Sequence, residues 1–272
     1  MIWPLCLNTS TIQPAGLLDK IAIAAQTGYE AVELWISDLM AFQEAGGTLT
    51  EVVGHLRQNG LSVPDVIALH GWTDAPDAAW PGVLEEARRA MDLAAHVGAR
   101  HLVASPAQGR VDLARVARRY AELLALGRTM GVLPAMEFLG FVEHIKDIQT
   151  AWGIVAEAGD PDGSIVLDAF HQYNGGSSLE DLAALPMERV AIVHLDDAPV
   201  TPGPGQLRDE DRVYPGEGAI DLTAMLRLLR DGGYRGPLSL ELFNPGYWRE
   251  DPRQVAARGL AATRRLIQAL DA

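Results

Sequence analysis

A single cysteine, Cys6, stands in a chain of 272 residues. One thiol excludes an internal disulfide framework and any cysteine-rich zinc or iron–sulfur site. A small buried filler is the role expected of it. Basic residues are also scarce: 22 Lys and Arg face 36 Asp and Glu, for a formal net charge of −14. That field repels phosphate backbones and anionic lipid, and the densest basic segment, Arg115 to Arg119, reads as one solvated helix face. Nucleic acid and membrane surfaces are therefore not expected partners. No apolar run reaches 18 residues, and Met1–Ser10 lacks the basic start and long apolar stretch of a secretory signal. A cytoplasmic protein is expected. GxGxxG and GxxxxGKS/T are both absent, which removes the common nucleotide-phosphate cradles.

What is present is a regular alternation. Short β-prone runs occur at Ile2–Leu7, Ala31–Trp35, Ser62–Leu69, His101–Ala104, Leu133–Phe138, Ser164–Leu167, Val190–His194 and Leu238–Leu242. Amphipathic runs separate them: Leu17–Thr27, Leu49–Asn59, Val83–Val97, Leu113–Met130, Ile145–Glu157, Leu179–Leu185, Ile220–Asp231 and Pro252–Leu270. Gly60, Gly98, Gly131, Gly159 and Gly232 follow helical runs, where a left-handed cap favours glycine. Asp112 and Asp221 stand at N-cap positions. Eight such units predict one (β/α)8 TIM barrel across residues 1–272, an α/β fold. A doubly wound open sheet is the competing arrangement, but it more often carries a glycine-rich turn after its first strand. The Pro- and Gly-rich stretch Ala198–Gly218 reads as a lid or binding loop.

Barrel chemistry sits at the C-terminal ends of the strands. The polar residues there are Glu33, His70, Ser105, Glu137, Asp168, His194 and Glu241. Any one of them alone reads most simply as a cap, a salt bridge or a hydrogen-bonded core residue. Four at equivalent positions on the last four strands are harder to explain that way. Buried carboxylates repel one another and lose water, and a bound divalent cation relieves that cost. Three acids plus one imidazole suit Mn²⁺ first, then Co²⁺ or Mg²⁺, with Zn²⁺ as a further option.

The segments MEFLGFVE, VLDAFH, VHLDD, RVYPGEGAID and LSLELF resemble the xylose isomerase-like barrel superfamily of sugar isomerases and epimerases. The resemblance implies a metal held by Glu137, Asp168, His194 and Glu241. It also implies substrate contacts from Glu143, His171 and Arg212, with His70 as a further one. Asp196, on the same strand face as His194, reads as a support of the ligand shell. Glu33 resembles a commonly acidic strand-two position that hydrogen-bonds across the mouth, in a structural or a catalytic role. The endonuclease branch of the superfamily needs a second early histidine where this chain has Ser105, and an Asp-x-His pair where it has Arg212-Val213-Tyr214. One metal, not three, is therefore expected.

In such a site Glu137 and Glu241 are expected to remove and return a proton beside a carbonyl of a ketose or hydroxy-carbonyl substrate, with the metal stabilising the enediolate. Epimerisation, aldose–ketose isomerisation and dehydration of a cyclic polyol ketone such as inosose or dehydroshikimate share that first half. An isomerase or epimerase is the leading expectation and a dehydratase the second. A non-catalytic carbohydrate-binding subunit is the third, and it would be expected to have lost a ligand. The expected partner is a small carbohydrate. Association as a homodimer or homotetramer is expected from the habit of barrels this size.

Overall fold

A computed structural model describes residues 3–270. Eight parallel strands pair in chain order and close: β1 Leu5–Asn8, β2 Ala31–Trp35, β3 Asp65–Leu69, β4 His101–Ala104, β5 Leu133–Met136, β6 Ser164–Asp168, β7 Val190–His194 and β8 Leu238–Leu240. The ring is sealed by Leu5–Leu7 of β1 against Leu238–Leu240 of β8. Closure leaves no unpaired sheet edge, so every strand can be short and buried.

Ten helices cover the outside among the described residues: α1 Leu17–Thr27, α2 Ile36–Glu44, α3 Leu49–Gln58, α4 Trp80–His96, α5 Leu113–Met130, α6 Ile148–Glu157, α7 Ala169–Gly175, α8 Leu179–Ala183, α9 Leu222–Asp231 and α10 Pro252–Ala269. Capping sets several boundaries. Asp112 and Asp221 accept from the backbone N–H of Arg115 and Ala224, as their sequence positions predict. Asp147 does the same for Thr150, which starts α6 three residues later than periodicity alone suggests.

Several expectations need adjustment. Of the first expected strand, Ile2 lies outside the described residues; β1 begins only at Leu5 and runs one residue further than expected, to Asn8. β3 begins at Asp65 rather than Ser62, because Pro64 offers no N–H to a ladder and Ser62 makes only an isolated bridge to Ala31. β5 and β8 end at Met136 and Leu240, so Glu137 and Glu241 stand one residue past the ladders. Gly232 is right-handed with φ −73°, and its neighbour Gly233, at φ +87°, takes the left-handed position. Helices α2 and α7 carry no clear apolar period. α2 buries only Leu39 fully, and α7 is started by Asp168, whose carboxylate accepts from His171 N at 2.7 Å.

Most of the core lies between barrel and helices, where outward strand residues such as Val32, Leu34, Leu102, Met136, Leu167 and Val193 meet the apolar helix faces. A second, smaller cluster of Ile67, Val103, Ala135, Val166 and Ile192 plugs the barrel interior. Strand side chains alternate, so the residue two positions beyond each plug member also faces inward. From Val103, Ala135, Val166 and Ile192 that step reaches Ser105, Glu137, Asp168 and His194. The plug thus forms the floor of a polar layer at the C-terminal mouth.

Candidate active site

The polar layer is assembled by register. Asp168 on β6 pairs with His194 on β7, and His194 pairs with Ser239 on β8. Glu241, two residues after Ser239, faces the same way. Ligand atoms of Asp168, His194 and Glu241 lie within 4.8 Å of one another, and all three residues are buried. His194 Nδ1 is 3.0 Å from Glu241 Oε2 and 3.5 Å from Asp168 Oδ2. Atoms bound to one ion at roughly 2.1 Å stand about 3.0–3.4 Å apart at tetrahedral or octahedral angles, so these separations suit a shared cation.

The imidazole supplies the sharper test of fit. Nε2 lies 3.0 Å from Glu33 Oε1, whereas Nδ1 is buried and makes no hydrogen bond of good geometry. A carboxylate on one ring nitrogen and a bare second nitrogen facing two acids is the arrangement of a metal-ligating histidine. Burial alone would lower the His194 pKa, but the charges of Glu241 and Glu33 outweigh it and hold it well above the ordinary value. A cation at Nδ1 would take the place of that proton. The residues present therefore fit a divalent ion.

Glu137 stands just outside the tight three-residue group. Its Oε2 accepts a 2.5 Å hydrogen bond from Ser105 Oγ. Burial pushes its carboxyl up to about 8, and the Glu241 charge adds to the effect. Burial also raises Glu241, against the opposing pull of His194 and Arg212.

Arg212 is brought in from the long loop. Asp197 and Val213 exchange backbone hydrogen bonds at 3.1 and 3.0 Å, which folds residues 198–218 back on β7. The Asp197 carboxylate then accepts from the N–H groups of Ala198, Gly216, Gly218 and Ile220. Gly218 is required there, since a Cβ would strike Ala198 O and Asp197 Oδ1. So held, the Arg212 guanidinium donates to Asp168 Oδ2 at 2.8 Å and to Asp196 Oδ2, and it lies 3.3 Å from Glu241 Oε2. Its second amino group is 3.0 Å from His171 Nε2, and its face rests 4.7 Å from the Phe170 ring centroid.

The xylose isomerase-like TIM barrel family matches residues 21–266. The chain belongs to this family. Among curated relatives, an inosose isomerase of Halalkalibacterium halodurans is 29% identical over 253 residues, 90% of this chain and 89% of that one. A 3-dehydroshikimate dehydratase of Pseudomonas putida is 26% identical over 259 residues, 93% of this chain but 40% of the relative. A crystal structure of the IOLI protein with a bound zinc atom superposes with a TM-score of 0.92 at 24% identity, covering 98% of this chain and 99% of that one. At that identity the superposition speaks for the barrel.

Within this family barrel, the expected site residues divide into two groups. Asp168, His194, Glu241, Arg212 and His171 converge, with Glu137 beside them. His171 is buried between Phe141 and Phe170, its ring centroid 5.1 and 5.7 Å from theirs. Burial, with Arg212 adding to it, lowers its pKa to about 4. Glu143 does not join them: its side chain is 58% exposed on the loop after β5 and lies 3.8 Å from Arg110. His70 is exposed and lines an outer groove with Ile36, Met40 and Arg89. Glu33 and Asp196 are both buried supports, Asp196 also accepting from Phe170 N at 3.0 Å. Asn8, Ser105 and Ser239 were given no role by sequence, although period-two spacing from Ser239 to Glu241 and from Val103 to Ser105 marks two of them as inward-facing.

Proposed function

We propose that this chain is a divalent-metal-dependent isomerase that relocates a proton beside the carbonyl of a polyol ketone or ketose. The observation that carries the reading is the buried, unpartnered Nδ1 of His194, set between Asp168 and Glu241 while Glu33 occupies Nε2. The likeness to an inosose isomerase over nine-tenths of both chains supports a cyclic polyol ketone as substrate class.

Asp168, His194 and Glu241 would hold the ion, with Glu137 as the fourth ligand. Their mixed carboxylate–imidazole set suits Mn²⁺ first, with Co²⁺, Mg²⁺ and Zn²⁺ as alternatives. A bound divalent cation supplies Lewis-acid stabilisation of negative charge on the carbonyl oxygen. Glu241 and Glu137 reach the mouth from β8 and β5, with β6 and β7 between them. One carboxylate takes the proton from the carbon beside the carbonyl, and the C–H electron pair moves toward the carbonyl oxygen. The other, in its acid form, gives a proton back, so the substrate gains and loses none overall. Ser105 Oγ donates to Oε2 of Glu137 and so fixes the orientation of that carboxylate. Arg212 Nη2 bonds Nε2 of His171, so the histidine proton belongs on Nδ1, a buried donor without a protein partner. That N–H would bind a substrate hydroxyl.

A dehydratase is the second reading, favoured by the relative of that activity, and it shares the first proton removal before losing a hydroxyl as water. Incubation of the Mn²⁺-loaded protein with inosose, free ketoses and 3-dehydroshikimate in D2O separates the two. Deuterium uptake with a new ketone isomer, followed by NMR, supports the isomerase, whereas enone absorbance supports the lyase. Glu241→Gln is expected to remove nearly all turnover. Wild-type turnover in Glu241→Gln, or activity indifferent to exhaustive chelation, overturns the proposal.

A further inference from the structure

Asn8 ends β1 directly beside Glu33 of β2, its register partner, and the β1–β8 pairing of Leu7 with Leu240 puts Glu241 on its other side. Its side chain is fully buried. Nδ2 donates to Glu241 Oε1 at 2.8 Å and to Glu33 Oε2 at 3.2 Å. Oδ1 accepts from the Trp35 indole N–H at 2.9 Å and from Ser10 N at 3.0 Å. Two N–H donors on one side of the amide fix its orientation, so the NH2 group must face the two acids.

The consequence reaches both halves of the ligand cluster. With Oε1 of Glu241 tied to Asn8, Oε2 is the oxygen left 3.0 Å from His194 Nδ1. With Oε2 of Glu33 tied to Asn8 and Ser239, Oε1 is the oxygen left for His194 Nε2. We propose that Asn8 is a positioning residue that selects the ligand oxygen of Glu241 and, through Glu33, the metal-facing nitrogen of His194. A neutral amide suits this place, because it satisfies two carboxylates while leaving their charge to the cation. The inference rests on the metal-site reading above and adds to it the device that orients two of its ligands.

The test uses Co²⁺ as probe in the full chain, with affinity read by competition against a chromophoric chelator and geometry by the visible absorption of the bound ion. Wild type is expected to bind one Co²⁺. Asn8→Ala is expected to bind about 10–100-fold more weakly and with an altered spectrum. Asn8→Asp keeps the acceptor for Trp35 and Ser10 but sets an oxygen against both acids, so its loss should equal or exceed that of Asn8→Ala. It decides the matter if Asn8→Ala does not fold. A variant with lower metal-free Tm but wild-type Co²⁺ affinity and spectrum would reveal a purely structural asparagine and overturn the proposal. A wild type that takes no Co²⁺ overturns the metal reading itself, which is a different result.

Discussion

Glu33 and His194 meet across the barrel interior, from β2 to β7, with 3.0 Å between Oε1 and Nε2. Neither residue is exposed. The contact assigns the imidazole its roles in a loaded site, since the nitrogen bonded to Glu33 keeps its proton while Nδ1, on giving up its own, would offer a lone pair to the cation. Glu33→Gln leaves an amide oxygen that can still accept from Nε2 but removes the negative charge. Metal affinity is expected to fall by about tenfold, and Glu33→Ala to cost more. Calorimetric titration with Mn²⁺ or Zn²⁺ checks this; unchanged affinity in both variants would mean that His194 needs no orienting partner.

Arg212 supplies the second prediction. Its buried guanidinium answers Asp168, Asp196 and Glu241 together. Arg212→Met leaves those carboxylates uncompensated, and breaking a buried pair in this way costs about 3–5 kcal/mol. A divalent ion should offset part of that repulsion. The metal-free variant is therefore expected to melt well below wild type and to gain more Tm from saturating Mn²⁺ than wild type does. Equal metal-induced shifts would separate Arg212 electrostatically from the ligand cluster.

The barrel was legible because eight apolar runs alternate with amphipathic ones, and the strand-end acids and histidine fell where a β-sheet period places inward side chains. Asp168, His194 and Glu241 needed no more than that. The fate of Glu143 was not legible, because six residues of loop after Glu137 carry no period that fixes a side-chain direction. Arg212 is the converse case. Its burial depends on Asp197 gathering four backbone N–H groups from a loop of irregular conformation, a tertiary event with no local repeat. Asn8 was equally hidden, since an asparagine after a strand reads first as a turn residue, a role it also fills by accepting from Ser10 N.

Glu137 makes the metal-free protein sensitive to alkaline pH. Its carboxyl is raised by burial, then by Glu241, from 4.5 to about 8. A raised carboxyl means that the folded state holds a proton the unfolded chain releases. The stabilisation is present in full below the unfolded value and is lost as pH climbs through the folded one. Between about pH 5 and 8 Glu137 therefore contributes a loss of stability with rising pH in the chelated protein, opposed below about 6.5 by His171, whose lowered pKa acts in the other direction. Glu137→Gln should remove that contribution to the slope, as denaturant titrations at a series of pH values would read. A slope unchanged by the substitution would place the proton elsewhere.

The loop that carries Arg212 can be loosened without touching any proposed ligand. Asp197→Ala removes the acceptor for the partly buried N–H groups of Gly216, Gly218 and Ile220, and each lost hydrogen bond costs about 0.5–1.5 kcal/mol. Residues 198–218 should then become open to limited proteolysis while the barrel keeps its far-ultraviolet circular dichroism. Gly218→Ala tests the same hinge by a different force, because its new Cβ must push Asp197 and Ala198 apart. Both variants release Arg212 from Asp168 and Asp196, so both should raise the KM for a confirmed substrate more than they lower kcat. A protease-resistant loop with unchanged KM in either variant would show that the Asp197 cradle is dispensable to the mouth of the barrel.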